Sequence, residues 1–84
     1  MAKGTTSDSR RVYHVIFDRI SAKWQVTREG KTTPERSFDR KEDAIEAGKR
    51  LGKEASLGQV IIHDQRGVIQ TEFTYANDPR DTPG

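Results

Sequence analysis

Cysteine is absent from the sequence, which excludes a disulfide framework, a thiolate nucleophile and any Cys-ligated zinc or iron–sulfur site, and makes a cytoplasmic setting the default expectation. Long apolar runs are missing too. No 18 consecutive apolar residues occur to span a bilayer, and Met1 to Arg10 has no apolar stretch of the kind a secretory leader needs, so neither membrane insertion nor secretion is expected. Apolar residues are scarce, at 31% of the chain; the ~45–50% usual for globular domains includes glycine, and the seven glycines here narrow the gap. The 84 residues make one domain at most, and a chain of this size buries only about 60% of its unfolded surface. The core is therefore expected to be thin.

Charge of one sign is not in excess overall, since the net charge is +2, but its distribution is uneven. Arg10 to Lys41 holds nine basic and four acidic residues, whereas Glu42 to Gly84 holds five basic and eight acidic. The first half is the basic one.

Both ends are polar and aperiodic: MAKGTTSDS at Met1 to Ser9 and NDPRDTPG at Asn77 to Gly84. A single domain over residues 11–76 is expected, with disordered tails at 1–10 and 77–84. Arg11 to Phe17 is rich in β-branched and aromatic residues and reads as a strand. Lys23 to Arg28 alternates Trp24 and Val26 with Gln25 and Thr27, and Glu29-Gly30-Lys31 supplies a turn, so a second strand follows. Thr32 to Ser37 is a possible third strand, confined by Pro34 to an edge or a bulge.

At Phe38 the period changes. Asp39 followed three residues later by Glu42 fits a capping box, and a helix over Asp39 to Glu54 is predicted. Ala44, Ala47, Gly48, Leu51 and Ala55 form one apolar stripe, widened by Ile45, with Glu46, Lys49, Arg50 and Lys53 on the far side. Gly48 and Gly52 each cost the helix about 1 kcal/mol relative to alanine, which points to close approach of helix and sheet. Ser56 to Gly58 ends the helix. Gln59 to His63 is a compact apolar strand, and Asp64-Gln65-Arg66-Gly67 turns it into Val68 to Tyr75. The fold class expected is α+β, in the order β-β-(β)-α-β-β, with one helix packed on one face of an antiparallel sheet. Tyr13, Val15, Phe17, Trp24, Val26, Val60, Ile62, Ile69, Phe73 and Tyr75 should face that helix.

YHVIF at Tyr13 to Phe17, WQVTREG at Trp24 to Gly30, FDRKEDAIEAG at Phe38 to Gly48, VIIHDQRGVIQTEFTY at Val60 to Tyr75 and NDP at Asn77 to Pro79 together resemble the bacterial domain-of-unknown-function family 2188. The likeness extends over nearly all of residues 11–79 and rests on the order and spacing of several short motifs. It implies a small bacterial protein of the same β-β-α-β-β layout and no particular activity. The chain departs from the family pattern in carrying Arg40 where a small capping hydroxyl residue is expected, and in a longer polar stretch before Phe38.

No catalytic, metal or cofactor site is legible. His14 and His63 sit mid-strand, and with Asp18 and Asp64 a mixed metal site is conceivable, but strand histidines bonded or stacked across strands are the simpler reading. The serines occur in tails, turns or an exposed strand, outside any G-x-S-x-G setting, and the scattered glycines form neither a P-loop nor a dinucleotide fingerprint. So small a core also leaves little volume for a small-molecule substrate. A noncatalytic binding or interaction domain is expected. In its first form, Val12, Ile16 and Ile61 point away from the helix and serve as an interface to a second copy or another protein. In the alternative, Arg11, Arg19, Lys23, Arg28, Lys31 and Arg36, beside Arg10, line a basic β-ribbon that contacts nucleic-acid phosphates.

Overall fold

The computed structural model describes residues 10–55 and 57–76. Five strands, β1 (Arg10–Asp18), β2 (Lys23–Arg28), β3 (Arg36–Phe38), β4 (Leu57–His63) and β5 (Ile69–Ala76), form one sheet in the spatial order β3-β2-β1-β4-β5. The helix α1 (Lys41–Glu54) packs on one face and contacts all five. The first strand thus begins at Arg10, one residue before the expected boundary. The remainder of both expected tails lies outside the described residues.

The sheet is mixed, which corrects the all-antiparallel expectation. β1 pairs in parallel with β4, from Arg10 opposite Leu57 to Val15 opposite Ile62, while β1–β2, β2–β3 and β4–β5 are antiparallel. The direction follows from the connections. The turn after β1 and the longer connection over residues 29–35 make β3 run the same way as β1, and α1 then carries the chain back to the starting end. The strand after it has to run in the same direction, and it docks beside β1, past β2.

Alternation along the strands then decides the core. Tyr13, Val15, Trp24, Val26, Val60 and Ile62 are buried against Ala44 of the helix, with Phe17, Phe38, Ile45, Ala47, Leu51, Phe73 and Tyr75 packed around them. Burying each of the larger aliphatics fully is worth about 1.5–3 kcal/mol. Gly48 and Gly52 allow this contact: a Cβ at Gly48 would lie 3.1 Å from Val60 Cγ1, and one at Gly52 would lie 2.8 Å from Val60 Cγ2. Lys49 and Lys53, expected on the solvent side, fold over the rings of Phe73 and Tyr75, and Lys41 lies over Trp24. Their alkyl stems shield the rims of a core too small to cover its own aromatics.

Three local expectations are revised. Ile69 is 52% exposed and outside the core, because the pairing passes from Ile62 opposite Thr71 to His63 opposite Ile69. The bulge leaves Gln70 as an extra residue and turns Ile69 to the other face. The capping box does not form. Arg40 occupies the N-cap in extended conformation with no side-chain bond, while the Asp39 carboxylate accepts from Lys23 Nζ at 2.9 Å; Glu42 and Asp43 still place negative charge in the first turn. Finally, only Arg36 and Ser37 of the expected third strand Thr32 to Ser37 pair, and the strand runs on to Phe38, at the sheet edge and just beyond Pro34.

The β4–β5 turn forms as read. Asp64 accepts from the backbone N–H of Arg66 at 2.8 Å and of Val68 at 2.9 Å, and Gly67 adopts φ of +91°, which glycine takes without strain.

Candidate interaction surfaces

Among the described residues, neither a helix nor a second sheet covers the face opposite α1. The register puts Val12, His14 and Ile16 of β1 there, beside Gln25 and Thr27 of β2 and Gln59, Ile61 and His63 of β4. Val12, Ile16 and Ile61 are half-buried by their neighbours in the sheet. Leu57 is 46% exposed at the start of β4, and the bulge brings Ile69 beside His63. The three residues expected to form an interface therefore share one surface, and Leu57 and the bulged Ile69 add two more aliphatics to it.

The two histidines are bonded across strands. His14 Nδ1 lies 3.0 Å from His63 Nε2, with ring centroids 5.2 Å apart. His14 Nε2 meets Glu29 Oε1 at 2.9 Å, and His63 Nδ1 meets the carbonyl oxygen of Gly67 at 3.1 Å. No group of three or more His, Asp or Glu side chains poised to hold a metal ion occurs among the described residues. Asp18 and Asp64, the carboxylates considered for a mixed site, are engaged in their own turns. The Ser21 hydroxyl donates to Asp18 at 2.6 Å and the Ser21 N–H at 3.1 Å, and these bonds hold the Asp18 carboxyl below its ordinary range. The backbone N–H of Val68, with smaller contributions from Arg66, does the same for Asp64. Asp39 is lowered by its hydrogen bond from Lys23 and by the charge of that ammonium.

The basic residues divide. Arg11 and Arg28 stand at one end of the β1–β2 ribbon, near the β2–β3 turn that carries Lys31, whereas Arg19 and Lys23 stand at the other. Arg11 and Arg19 are eight residues apart, roughly 26 Å along an extended chain. Lys23 is tied to Asp39. Arg36 lines the groove between β3 and α1. Arg10, Arg11 and Arg28 do share a shallow open cleft with Val12 and Glu29, and none of the three arginines makes an ion pair among the described residues.

That β3–α1 groove is a feature the sequence did not show. It has a volume of about 310 Å³ over a floor of Phe38, Ala47 and Leu51, with charges of both signs at its rim. The volume stands at the lower limit for small-molecule pockets, about 300 Å³. Its only sequence signal was Phe38, whose place beside Trp24 in the β2–β3 ladder depends on a three-residue strand.

A single helix on a five-stranded mixed sheet, without a metal cluster among the described residues, defines a small two-layer α+β domain. The chain belongs to the family described as "Uncharacterized protein conserved in bacteria (DUF2188)", whose family model matches residues 13–75. The matched span runs from the first buried residue of β1 to Tyr75 of β5 and so includes the whole core. No curated protein and no solved structure was found to match the chain. The helices among the described residues include none long and apolar enough to cross a membrane.

Proposed function

We propose that this protein is a noncatalytic interaction domain whose open sheet face pairs with the same face of a second copy. The observation that carries the reading is the gathering of Val12, Ile16 and Ile61, with Ile69 beside them, on a surface that no other described element covers. Five strands at ~4.8 Å spacing and about seven residues at ~3.3 Å give a face of roughly 24 by 23 Å, on the order of the ~600–800 Å² per partner of a smaller specific interface. Charged groups stand mainly at its perimeter. Arg10 and Asp18 lie at the two ends of β1, Lys23 is neutralised by Asp39, and Glu72 is on the edge strand. A copy related by a two-fold axis meets this surface with the arginine, lysine and aspartate side chains of its strands away from the centre.

A nucleic-acid interface is the weaker reading, because its six basic side chains fall at opposite ends of the ribbon and in the helix groove. Retardation of mixed-sequence DNA or RNA that falls steeply between ~50 and ~200 mM salt would favour it.

Sedimentation equilibrium over a range of loading concentrations tests the pairing. The mass should rise toward twice 9.5 kDa, and Ile61→Lys should hold it at the monomer value while leaving the circular dichroism spectrum unchanged. A monomer at the highest concentration would overturn the reading.

A further inference from the structure

The hydrogen-bonded chain on the open face has a proton count that its geometry dictates. The Gly67 carbonyl only accepts, so His63 Nδ1 carries a hydrogen. An ionised Glu29 only accepts, so His14 Nε2 carries another. The link between His14 Nδ1 and His63 Nε2 needs a third, on either nitrogen. Two neutral imidazoles supply two. With all three links made, the chain therefore holds one proton more than two neutral histidines beside a carboxylate.

The chain also spans the sheet. Glu29 belongs to the β2–β3 turn, beside the start of β1, where its N–H bonds the Val12 carbonyl. Gly67 belongs to the β4–β5 turn, beyond the far end of β4. Between them the chain crosses β1 and β4 diagonally, tying turns at opposite ends of the molecule.

We propose that Glu29, His14 and His63 form a proton-operated latch across the open face, closed when the pair of imidazoles holds its extra proton and opened at Glu29 when that proton leaves. With two protons left for three links, one link has to face lone pair against lone pair. Glu29 is the exposed end of the chain, at 62% side-chain exposure, and is the member free to swing into water. Arg10, Arg11 and Arg28 line the cleft beside Glu29 and form no ion pair with it among the described residues. The other ionisable groups on this face are engaged elsewhere: from β1, Asp18, bonded to Ser21; from β2, Lys23, paired with Asp39; from β5, Glu72, which accepts from Gln59 at 3.1 Å. In the β4–β5 turn, Asp64 is bonded to its own backbone and to Arg66. Glu29 is thus the carboxylate in contact with the imidazoles. The latch stands whether or not the face pairs with a second copy.

Long-range proton–nitrogen NMR of the imidazole rings, recorded from acid to alkaline pH on dilute full-length chain, tests it. The expected result is that the two imidazoles release their protons in two separated steps, with His63 keeping its Nδ1 hydrogen when neutral. Glu29→Gln places an amide donor opposite His14 Nε2, which completes the chain without the extra proton. That substitution should weaken binding of the extra proton, so that it leaves at lower pH than in the wild type. Glu72→Gln should leave it unchanged. Backbone hydrogen exchange supplies the second readout. Protection of the Lys31 amide, bonded to the Arg28 carbonyl in the Glu29 turn, should fall in the wild type once the proton has left and persist in Glu29→Gln. Both imidazoles releasing together, an unshifted release in Glu29→Gln, a neutral His63 protonated on Nε2, or Lys31 protection that ignores proton release would each overturn the latch.

Discussion

Gly58 lies directly beneath Gly52: a Cβ on Gly58 would sit 1.9 Å from the Gly52 carbonyl oxygen and 2.6 Å from its carbonyl carbon. The obstacle is backbone, so no change of rotamer relieves it. The last turn of α1 therefore rides on the strand that follows it, and the short connection through Ala55 is possible because the first helix-facing residue of β4, Gly58, has no side chain.

Gly58→Ala should consequently be among the most damaging single substitutions in the protein. Overpacking usually costs 1–3 kcal/mol, and a clash with main chain belongs at or above the top of that range, about 3 kcal/mol. A urea denaturation midpoint measures it. A loss within a few tenths of a kcal/mol would show that helix and strand are not in contact there.

The contrast with what was legible in the sequence is instructive at this position. Gly58 reads as punctuation at the end of a helix, whereas its role is to let two elements touch, which no local pattern encodes. Gly48 and Gly52 were readable as contact glycines because they interrupt a helical stripe at a spacing that aims them at the sheet. Alternation likewise assigned Tyr13, Val15, Trp24, Val26, Val60 and Ile62 to one face and Val12, Ile16 and Ile61 to the other, since a period of two separates faces without knowledge of neighbours. Strand partners are a different kind of information. The parallel β1–β4 ladder depends on where the helix delivers the chain, and the bulge at Gln70 inverts Ile69 through a single unpaired residue. Asp39 had the composition of a cap, but Lys23, across the ladder, competes for the same carboxylate. The histidines' place in mid-strand was visible; their bonds to Glu29 and Gly67 required the turns to be placed.

The uncapped helix suggests a gain of stability. Arg40 has the extended conformation of an N-cap and no side chain able to accept from the free N–H groups of the first turn. Arg40→Ser or Arg40→Asp should raise stability by about 1 kcal/mol, read from the same denaturation midpoint. An unchanged or lower midpoint would mean that the first turn is satisfied in another way.

Acid should act through the turns. The carboxyls of Asp18, Asp39 and Asp64 titrate below their ordinary value of 3.8 in the folded chain. Each then contributes stability that is present above that value and is lost as pH falls through the lower folded one. Asp64→Asn mimics the protonated state of Asp64. The variant should be less stable than the wild type near pH 7, and the difference should shrink as both are taken below about pH 4. Thermal denaturation across this range measures it, and a difference independent of pH would remove the charge of Asp64 from the account.

The central claim is that the face carrying Val12, Ile16 and Ile61 meets its own copy, and isotope-filtered NMR on an equal mixture of labelled and unlabelled chains tests it most directly. The account predicts cross-peaks between protomers from the methyl groups of Ile16 and Ile61. Cross-peaks confined to the β5 edge or to the β3–α1 groove, or none at concentrations where the mass has doubled, would contradict it.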